Sequence, residues 1–93
     1  MTDKKKNTAF LIVQDNEDAR PIIEAVEQDN PEASIQYEPG MVRMECEGSL
    51  IVKQETVEAL IGRDWDVQEL HLVLISLAGN VDEDDEKFEL SWG

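Results

Sequence analysis

The chain has 93 residues, 41% of them hydrophobic and 32% charged, and its 22 acidic and 8 basic residues give a net charge of −14. That length predicts a single globular domain, too small to hold both a core and a deep substrate cavity. The charge disfavours binding to nucleic acid or to an anionic membrane, since both are bound through Lys and Arg. It serves either solubility alone or fast, salt-sensitive association with a positively charged protein.

The predicted elements begin after a polar stretch, residues 1–7, which we expect to be a flexible tail, so that residues 8–93 form the domain. The apolar run at residues 9–13 predicts a central strand that is buried on both faces. No run is long enough to span a membrane. The single cysteine, Cys46, cannot form an internal disulfide, which fits a reducing cytoplasm.

A helix is predicted next, because four apolar residues recur at helical spacing: Ala19, Ile22, Ile23 and Val26. Asp18 is its predicted N-cap, which places Pro21 at the third helical position, inside the first turn where a proline is tolerated. Residues 29–31, with the sequence Asp-Asn-Pro, are expected to end the helix.

Two alternating segments, residues 33–37 and 42–46, predict a β-hairpin whose strands each bury one face. Pro39 and Gly40 between them fit the central positions of a type II turn. Cys46 falls on the apolar side of its strand, so we expect a small core residue rather than a reactive thiol.

A second cycle follows. Residues 50–53 predict another strand, and Val57, Leu60 and Ile61 share a face of a short helix that ends at Gly62. The long apolar segment at residues 67–78 predicts a central strand, because it is rich in Val and Ile and apolar on both parities. Five consecutive acidic residues, 82–86, predict a solvated mobile loop before a last strand at residues 87–92, with Phe88, Leu90 and Trp92 on one face.

The order of these elements is β-α-β-β followed by β-α-β-β. We therefore predict an α+β fold in which two related units form one compact domain, with helices packed on a mostly antiparallel sheet.

The sequence contains little that could do chemistry. His71 is the only histidine, and Glu69 is the carboxylate nearest to it on the same face of the predicted strand. The two could form a structural hydrogen bond, a pH-sensitive contact or a catalytic dyad. The acidic run lacks the ligand spacing of a calcium loop, and no phosphate-binding or iron–sulfur pattern occurs, so we predict no metal and no cofactor.

What remains is a protein that acts by binding another protein. Leu77 and Ala78, at the end of the long strand, are either buried by a neighbouring element or offered to a partner. Trp65, between two aspartates, is either an interface anchor or a connector residue that folds onto the core.

Four segments together resemble the small effector (coupling) proteins of bacterial multicomponent diiron monooxygenases, and most closely the phenol hydroxylase member. They have the sequences Ala-Phe-Leu-Ile-Val-Gln at residues 9–14, Arg-Pro-Ile-Ile at 20–23, Tyr-Glu-Pro-Gly-Met-Val-Arg at 37–43 and Phe-Glu-Leu-Ser-Trp at 88–92. The resemblance covers residues 8–92. None of these segments is specific to the family alone, and the resemblance rests on all four together.

The resemblance implies a cofactorless regulatory protein that is not itself an enzyme. Such proteins bind the hydroxylase component above its diiron centre and promote oxygen activation and substrate hydroxylation without carrying electrons. The residues that the resemblance places at the hydroxylase are Ser76, Leu77, Ala78, Gly79 and Asn80. We expect a monomer when free, because a charge of −14 is self-repelling.

Two rival hypotheses stay open on the sequence alone. An acidic decoy could imitate nucleic acid and block a basic protein, and a small enzyme could use His71 and Glu69.

Overall fold

The structure, a computed structural model, describes residues 8–91. The predicted tail at residues 1–7 and the predicted strand position of Trp92 lie outside the described residues. In chain order the elements are β1 (Thr8–Gln14), α1 (Arg20–Asp29), β2 (Ser34–Glu38), β3 (Met41–Glu47), β4 (Ser49–Lys53), α2 (Gln54–Ile61), a 3₁₀ helix (Val67–Leu72), β5 (Leu74–Ala78), β6 (Asn80–Glu83) and β7 (Lys87–Ser91).

The strands form two antiparallel sheets. The first sheet has the strand order β2-β3-β1-β5, and the second sheet has the order β4-β7-β6. The predicted α+β class with antiparallel strands is therefore confirmed. The two halves of the chain do not form one sheet, because β5 pairs with β1 in the first sheet instead of joining β4.

The core lies on one side of the first sheet, where both helices and the second sheet contribute to it. On β1 the alternate residues Ala9, Leu11 and Val13 are fully buried, while Phe10 and Ile12 between them stay partly exposed. The prediction that β1 is buried on both faces is wrong for this reason: the core packs against one face only. The other core residues come from α1, β3, β4, α2, β7 and the 3₁₀ helix, and they include Ile22, Val26, Val42, Met44, Leu50, Val52, Val57, Leu70, Phe88 and Leu90.

Helix α1 begins one residue later than predicted. Its N-cap is Ala19 rather than Asp18, which puts Pro21 at the second helical position. Asn16, further upstream, supplies the side-chain oxygen, since its Oδ1 accepts a hydrogen bond of 2.9 Å from the backbone N–H of Ala19. The helix ends at Asp29, as the Asp-Asn-Pro sequence indicated.

The β2–β3 hairpin is confirmed, with Gly40 at φ +78° in the turn, a backbone angle that type II turns require at this position. Tyr37 is an exception to the predicted burial, because 65% of it is exposed. It lies opposite the buried Val42, but β2 is the edge strand, and the aromatic ring extends beyond the core.

The predicted strand at residues 67–78 is wrong in its first half, which is the 3₁₀ helix. Asp66 and Glu69 form a capping box: the Asp66 side chain accepts from Gln68 N–H at 2.9 Å, and Glu69 Oε2 accepts from Asp66 N–H at 3.1 Å. A 3₁₀ helix has three residues per turn, and the buried residues follow that spacing. They are Val67, Leu70 and Val73. The second half forms β5, which is an edge strand and not a central one.

The acidic run is also more ordered than predicted. Asp82 and Glu83 belong to β6, which pairs with β7. Asp84 closes the following turn, because its Oδ1 accepts from the backbone N–H groups of Glu86 at 2.8 Å and Lys87 at 3.0 Å. These hydrogen bonds hold the pKa of the Asp84 carboxyl below its ordinary value.

Candidate functional site

The five residues singled out by the resemblance, residues 76–80, lie where the chain passes from one sheet to the other. We call them the corner segment. Ser76, Leu77 and Ala78 end β5 at the edge of the first sheet, and Asn80 begins β6 at the edge of the second. Gly79 joins the two strands. The segment therefore lies along two sheet edges, where each strand has a ladder partner on only one side.

Gly79 fixes the shape of the corner. Its φ is +125°, a backbone conformation that side chains rarely adopt. A Cβ atom at this position would lie 3.3 Å from the carbonyl oxygen and 3.4 Å from the nitrogen of Ser91. The corner thus packs directly against the backbone of β7, which holds the two strands at a defined angle.

A β-bulge decides which side chains of β5 face outward. Across the β1–β5 pair, Ile12 faces Ser76 but Val13 faces Leu74, so Ile75 is one extra residue on β5. The bulge lets Leu74 and Leu77, three residues apart, both pack against the core. The Leu77 side chain therefore faces the core, whereas its neighbours Ser76 and Ala78 face the opposite side of the sheet.

The remaining predicted residues are accessible. Ser76 and Asn80 are exposed, while Ala78 and Gly79 are half-buried. Leu77 is half-buried as well, so all five residues are at least partly at the surface at one corner of the molecule, with Leu77 packed against the core.

Two large hydrophobic residues adjoin the corner segment in the chain and are exposed: Ile75 at 45% and Val81 at 49%. Leu72, 77% exposed, precedes β5 and lines a pocket with Glu17 and Pro21 near the start of α1. The fourth such residue among residues 8–91, Tyr37, lies on β2 at the opposite edge of the first sheet. Sequence analysis did not identify Ile75 and Val81, because the bulge and the change of sheet break the alternation from which facing is predicted. Exposed large apolar side chains next to a sheet edge are typical of protein interaction sites.

The His71–Glu69 pair considered from the sequence does not form. His71 Nε2 lies 2.8 Å from Glu83 Oε1, and the imidazole meets the Phe88 ring edge-on with 6.0 Å between centroids. Glu69 instead caps the 3₁₀ helix. The His71–Glu83 pair is solvent-exposed, with 48% and 24% of the two side chains accessible. It connects the 3₁₀ helix to β6, which suits a structural contact.

Trp65 is a core residue and is not an interface anchor. It is 5% exposed, its backbone N–H donates to Glu58 Oε2 at 2.9 Å, and its backbone carbonyl accepts from Gln54 Nε2 at 2.9 Å. Both contacts tie the connector after α2 back to that helix, which confirms that Trp65 folds onto the core.

Cys46 is half-buried and packs against the core, as expected from its position on β3. Burial, with smaller contributions from the Glu32 and Glu47 carboxylates, raises the pKa of the thiol above its ordinary value. Because the thiolate is the reactive form, this environment suppresses thiol chemistry.

Within residues 8–91, no group of three or more His, Cys, Asp or Glu side chains is placed to hold a metal ion. No helix in the same range is both long and apolar enough to cross a membrane.

Comparison with known proteins identifies relatives over almost the whole chain. A family model described as the MmoB/DmpM family matches residues 7–91. The stimulatory component of phenol 2-monooxygenase from Pseudomonas sp. (strain CF600), DmpM, is 49% identical over 83 residues, which are 89% of this chain and 92% of that protein.

Solved structures agree with this. A chain in the structure of a phenol hydroxylase–regulatory protein complex is 50% identical, with a TM-score of 0.89 over 92% of this chain and 99% of that chain. The soluble methane monooxygenase regulatory protein B is 17% identical, with a TM-score of 0.74 over 100% of this chain and 70% of that one. At that identity the second likeness shows a shared fold alone.

Proposed function

The chain belongs to the MmoB/DmpM family, and we propose that it is the regulatory component of a multicomponent phenol monooxygenase. In this role it binds the diiron hydroxylase component and stimulates hydroxylation, without being an enzyme and without a cofactor of its own. One observation carries the proposal: the chain is 49% identical, over 89% of its length, to the stimulatory component of phenol 2-monooxygenase. A cytoplasmic location belongs to the proposal, supported by the lone, half-buried Cys46.

The mechanism is a shift of conformational populations in the hydroxylase. A protein that supplies no reacting group can change the rate of a partner only by binding one of the partner's conformations more tightly than another. The effect is therefore limited by that difference in affinity, which in allosteric systems is typically about 1–3 kcal/mol, or roughly 5- to 150-fold.

The corner segment is the proposed contact with the hydroxylase. Four features support this assignment: the exposure of Ser76 and Asn80, the apolar side chains of Ile75 and Val81 beside them, the rigid glycine corner, and the position along two sheet edges. A rigid surface loses little conformational entropy on binding, so its contacts contribute more of their energy to the difference in affinity.

The first experiment is a steady-state assay of phenol oxidation by a purified hydroxylase component and its reductase, with this chain added at increasing molar ratios. We expect a rise in product that saturates near one regulatory chain per active site. A flat response from a chain that circular dichroism shows to be folded, tested with the phenol hydroxylase component of the same organism, would contradict the proposal.

A substitution in the corner segment tests the contact itself. Ala78→Arg adds a bulky charge to a half-buried outward position, so we expect weaker binding to the hydroxylase with little loss of stability. Ala59→Arg, at an exposed position of α2, is the matched control and should bind like the unmodified chain. Unchanged affinity for Ala78→Arg would remove the corner segment from the interface, and unfolding would show that Ala78 belongs to the core.

A further inference from the structure

The face of the first sheet that points away from the core has an unusual composition for this chain. Where β3, β1 and β5 lie side by side, it presents six residues in two rows, which we call the outer face: Glu45, Phe10 and Ala78 in one row, and Arg43, Ile12 and Ser76 in the other. All six are at least partly exposed, and its three hydrophobic residues do not pack against the core.

The outer face is electrically neutral. The chain as a whole carries 22 acidic and 8 basic residues. The only charged residues of the outer face are Arg43 and Glu45, which neutralise each other in an ion pair. The carbon at the centre of the Arg43 guanidinium lies over the Phe10 ring, 4.9 Å from its centroid, so the cation contacts an aromatic surface. Depletion of unpaired charge, together with aromatic and Arg side chains, is typical of the centre of a protein–protein interface.

We propose that the outer face is the centre of the docking surface for the hydroxylase, and that the corner segment is one margin of it; this inference rests on the function proposed above. Continuity supports it, because Ser76 and Ala78 belong to both surfaces. The partner surface is apolar, with hydrogen-bond acceptors placed for the guanidinium donors of Arg43 that Glu45 leaves free.

The area of the outer face fits this division. Three strands about 4.8 Å apart and two rows about 6.8 Å apart span roughly 14 Å by 14 Å, or about 200 Å². A stable interface buries roughly 800 Å² on each partner. The outer face is thus large enough for a central cluster and too small to be a complete interface, so a surrounding margin such as the corner segment is needed.

A second copy of this chain is a poorer occupant than the hydroxylase. Two copies would bring together net charges of −14 each, and their repulsion opposes a dimer. A 200 Å² contact is far below what a dimer would need to overcome that repulsion.

The test compares the same substitution on the two sheets. Ile12→Lys puts a charge at the middle of the outer face, and Ile51→Lys does the same at a half-buried strand position of β4 in the second sheet. Binding to the purified hydroxylase component is measured by calorimetry, and folding is checked by thermal unfolding. We expect Ile12→Lys to weaken the affinity by at least about 30-fold, the loss typical of an interface hot spot, and Ile51→Lys to change it less than about 3-fold.

Two further variants guard against loss of folding. If Ile12→Lys does not fold, Ile12→Thr and Ile51→Thr keep the β-branched shape, add no charge, and replace the apolar ethyl group of the isoleucine with a hydroxyl. We then expect a loss of affinity of roughly 5-fold or more for Ile12→Thr and none for Ile51→Thr, because the lost apolar contact costs about 1 kcal/mol.

The outcomes separate this inference from the proposed function. If the unmodified chain binds and stimulates the hydroxylase but the Ile12 and Ile51 variants bind equally well, the outer face is not the docking surface while the function stands. If the unmodified chain neither binds nor stimulates, the proposed function itself fails. If sedimentation shows a dimer that Ile12→Lys dissociates, the outer face is a self-association surface, and the inference is overturned.

Discussion

Asn30 offers the sharpest test of how this fold is held together. It caps the C-terminal end of α1 and is the one buried polar residue among residues 8–91, with 8% of it exposed. Its Nδ2 donates to the carbonyl of Val26 at 3.0 Å and to the carbonyl of Ile51 at 2.8 Å, and its Oδ1 accepts from the N–H of Ile51 at 3.0 Å. The amide thus occupies the place of a neighbouring strand on the free edge of β4, and it ties α1 to the second sheet.

Replacing Asn30 by Ala removes all three hydrogen bonds. Each contributes about 1 kcal/mol net, and burial of the groups left behind adds to the loss. Water can reach the backbone groups of Ile51 in part, which limits the total to roughly 2–3 kcal/mol. For a domain of this length that loss lowers Tm by roughly 10–20 °C.

An isosteric variant separates hydrogen bonding from packing. Asn30→Asp can still accept from Ile51 N–H, but it loses both donor bonds and sets a carboxylate against two carbonyl oxygens at the negative end of the helix dipole. We expect it to be at least as destabilising as Asn30→Ala at neutral pH. Part of the stability should return as the pH falls, because the protonated acid can again donate a hydrogen bond and no longer carries the unfavourable charge.

The assay is thermal and urea unfolding followed by circular dichroism, with Gln28→Ala at an exposed position of α1 as the control. A loss below about 1 kcal/mol for Asn30→Ala, or an Asn30→Asp variant as stable as the unmodified chain at neutral pH, would refute the reasoning.

Three other predictions concern the corner and the titratable groups. Gly79→Ala should lower the free energy of unfolding by about 1–3 kcal/mol and reduce stimulation, because φ at this position is strained for a side chain and the added Cβ would lie 3.3 Å from Ser91. Gly40→Ala, at a positive φ but with nothing within 4 Å, should destabilise less, and equal losses of Tm would contradict this. Cys46 should react with iodoacetamide more slowly in the native than in the urea-unfolded chain at pH 8.5, because its thiol pKa is raised, and equal rates would rule the shift out. The stabilisation from this shift is present below the ordinary thiol pKa and is lost as the pH rises through the raised value. His71→Ala should lower stability by no more than about 1 kcal/mol, since its contact with Glu83 is exposed, and should leave stimulation unchanged; loss of stimulation would revive a direct role.

Much of the fold could be predicted because local signals and burial agree. The run at residues 9–13, the helix before Asn30 and the hairpin around Gly40 each combine a clear hydrophobic period with a recognisable turn or end. Errors there are confined to one residue at the start of α1, to the exposure of Tyr37 on β2, and to the second face of β1. That face could not be predicted from periodicity, because Phe10 and Ile12 are as apolar as their buried neighbours.

The segment at residues 67–78 failed because two signals conflict. Its Val and Ile content favours a strand, while Asp66 and Glu69 form the capping box of a helix start, and the capping signal prevails as far as Leu72. The bulge at Ile75 then shifts the alternation of β5. Neither the return of β5 to β1 nor the bulge is encoded in local spacing, since both depend on pairing with residues about 60 positions earlier.

The corner segment was reached through a family resemblance, and its geometry depends on contacts that no local pattern contains. Sequence spacing could not show that Leu77 faces the core while Ser76 and Ala78 face outward, because the bulge sets that division. Nor could it show that a Cβ at position 79 would crowd Ser91, twelve residues away.

Charge and packing are expected to act on different steps of association and through different parts of the surface. The net charge of −14 lies outside the neutral outer face. The acidic residues around that face therefore act on the long-range approach to positively charged parts of the partner, and salt should slow association by screening this attraction. The outer face and the corner segment make the close contacts, which govern how slowly the complex dissociates. Charge reversals in the acidic turn around Asp84 should therefore act mainly on the association rate, while Ile12→Lys should act mainly on the dissociation rate. A single set of binding kinetics at two salt concentrations can distinguish the two effects, and a salt-insensitive association rate would show that the acidic surround has no part in the encounter.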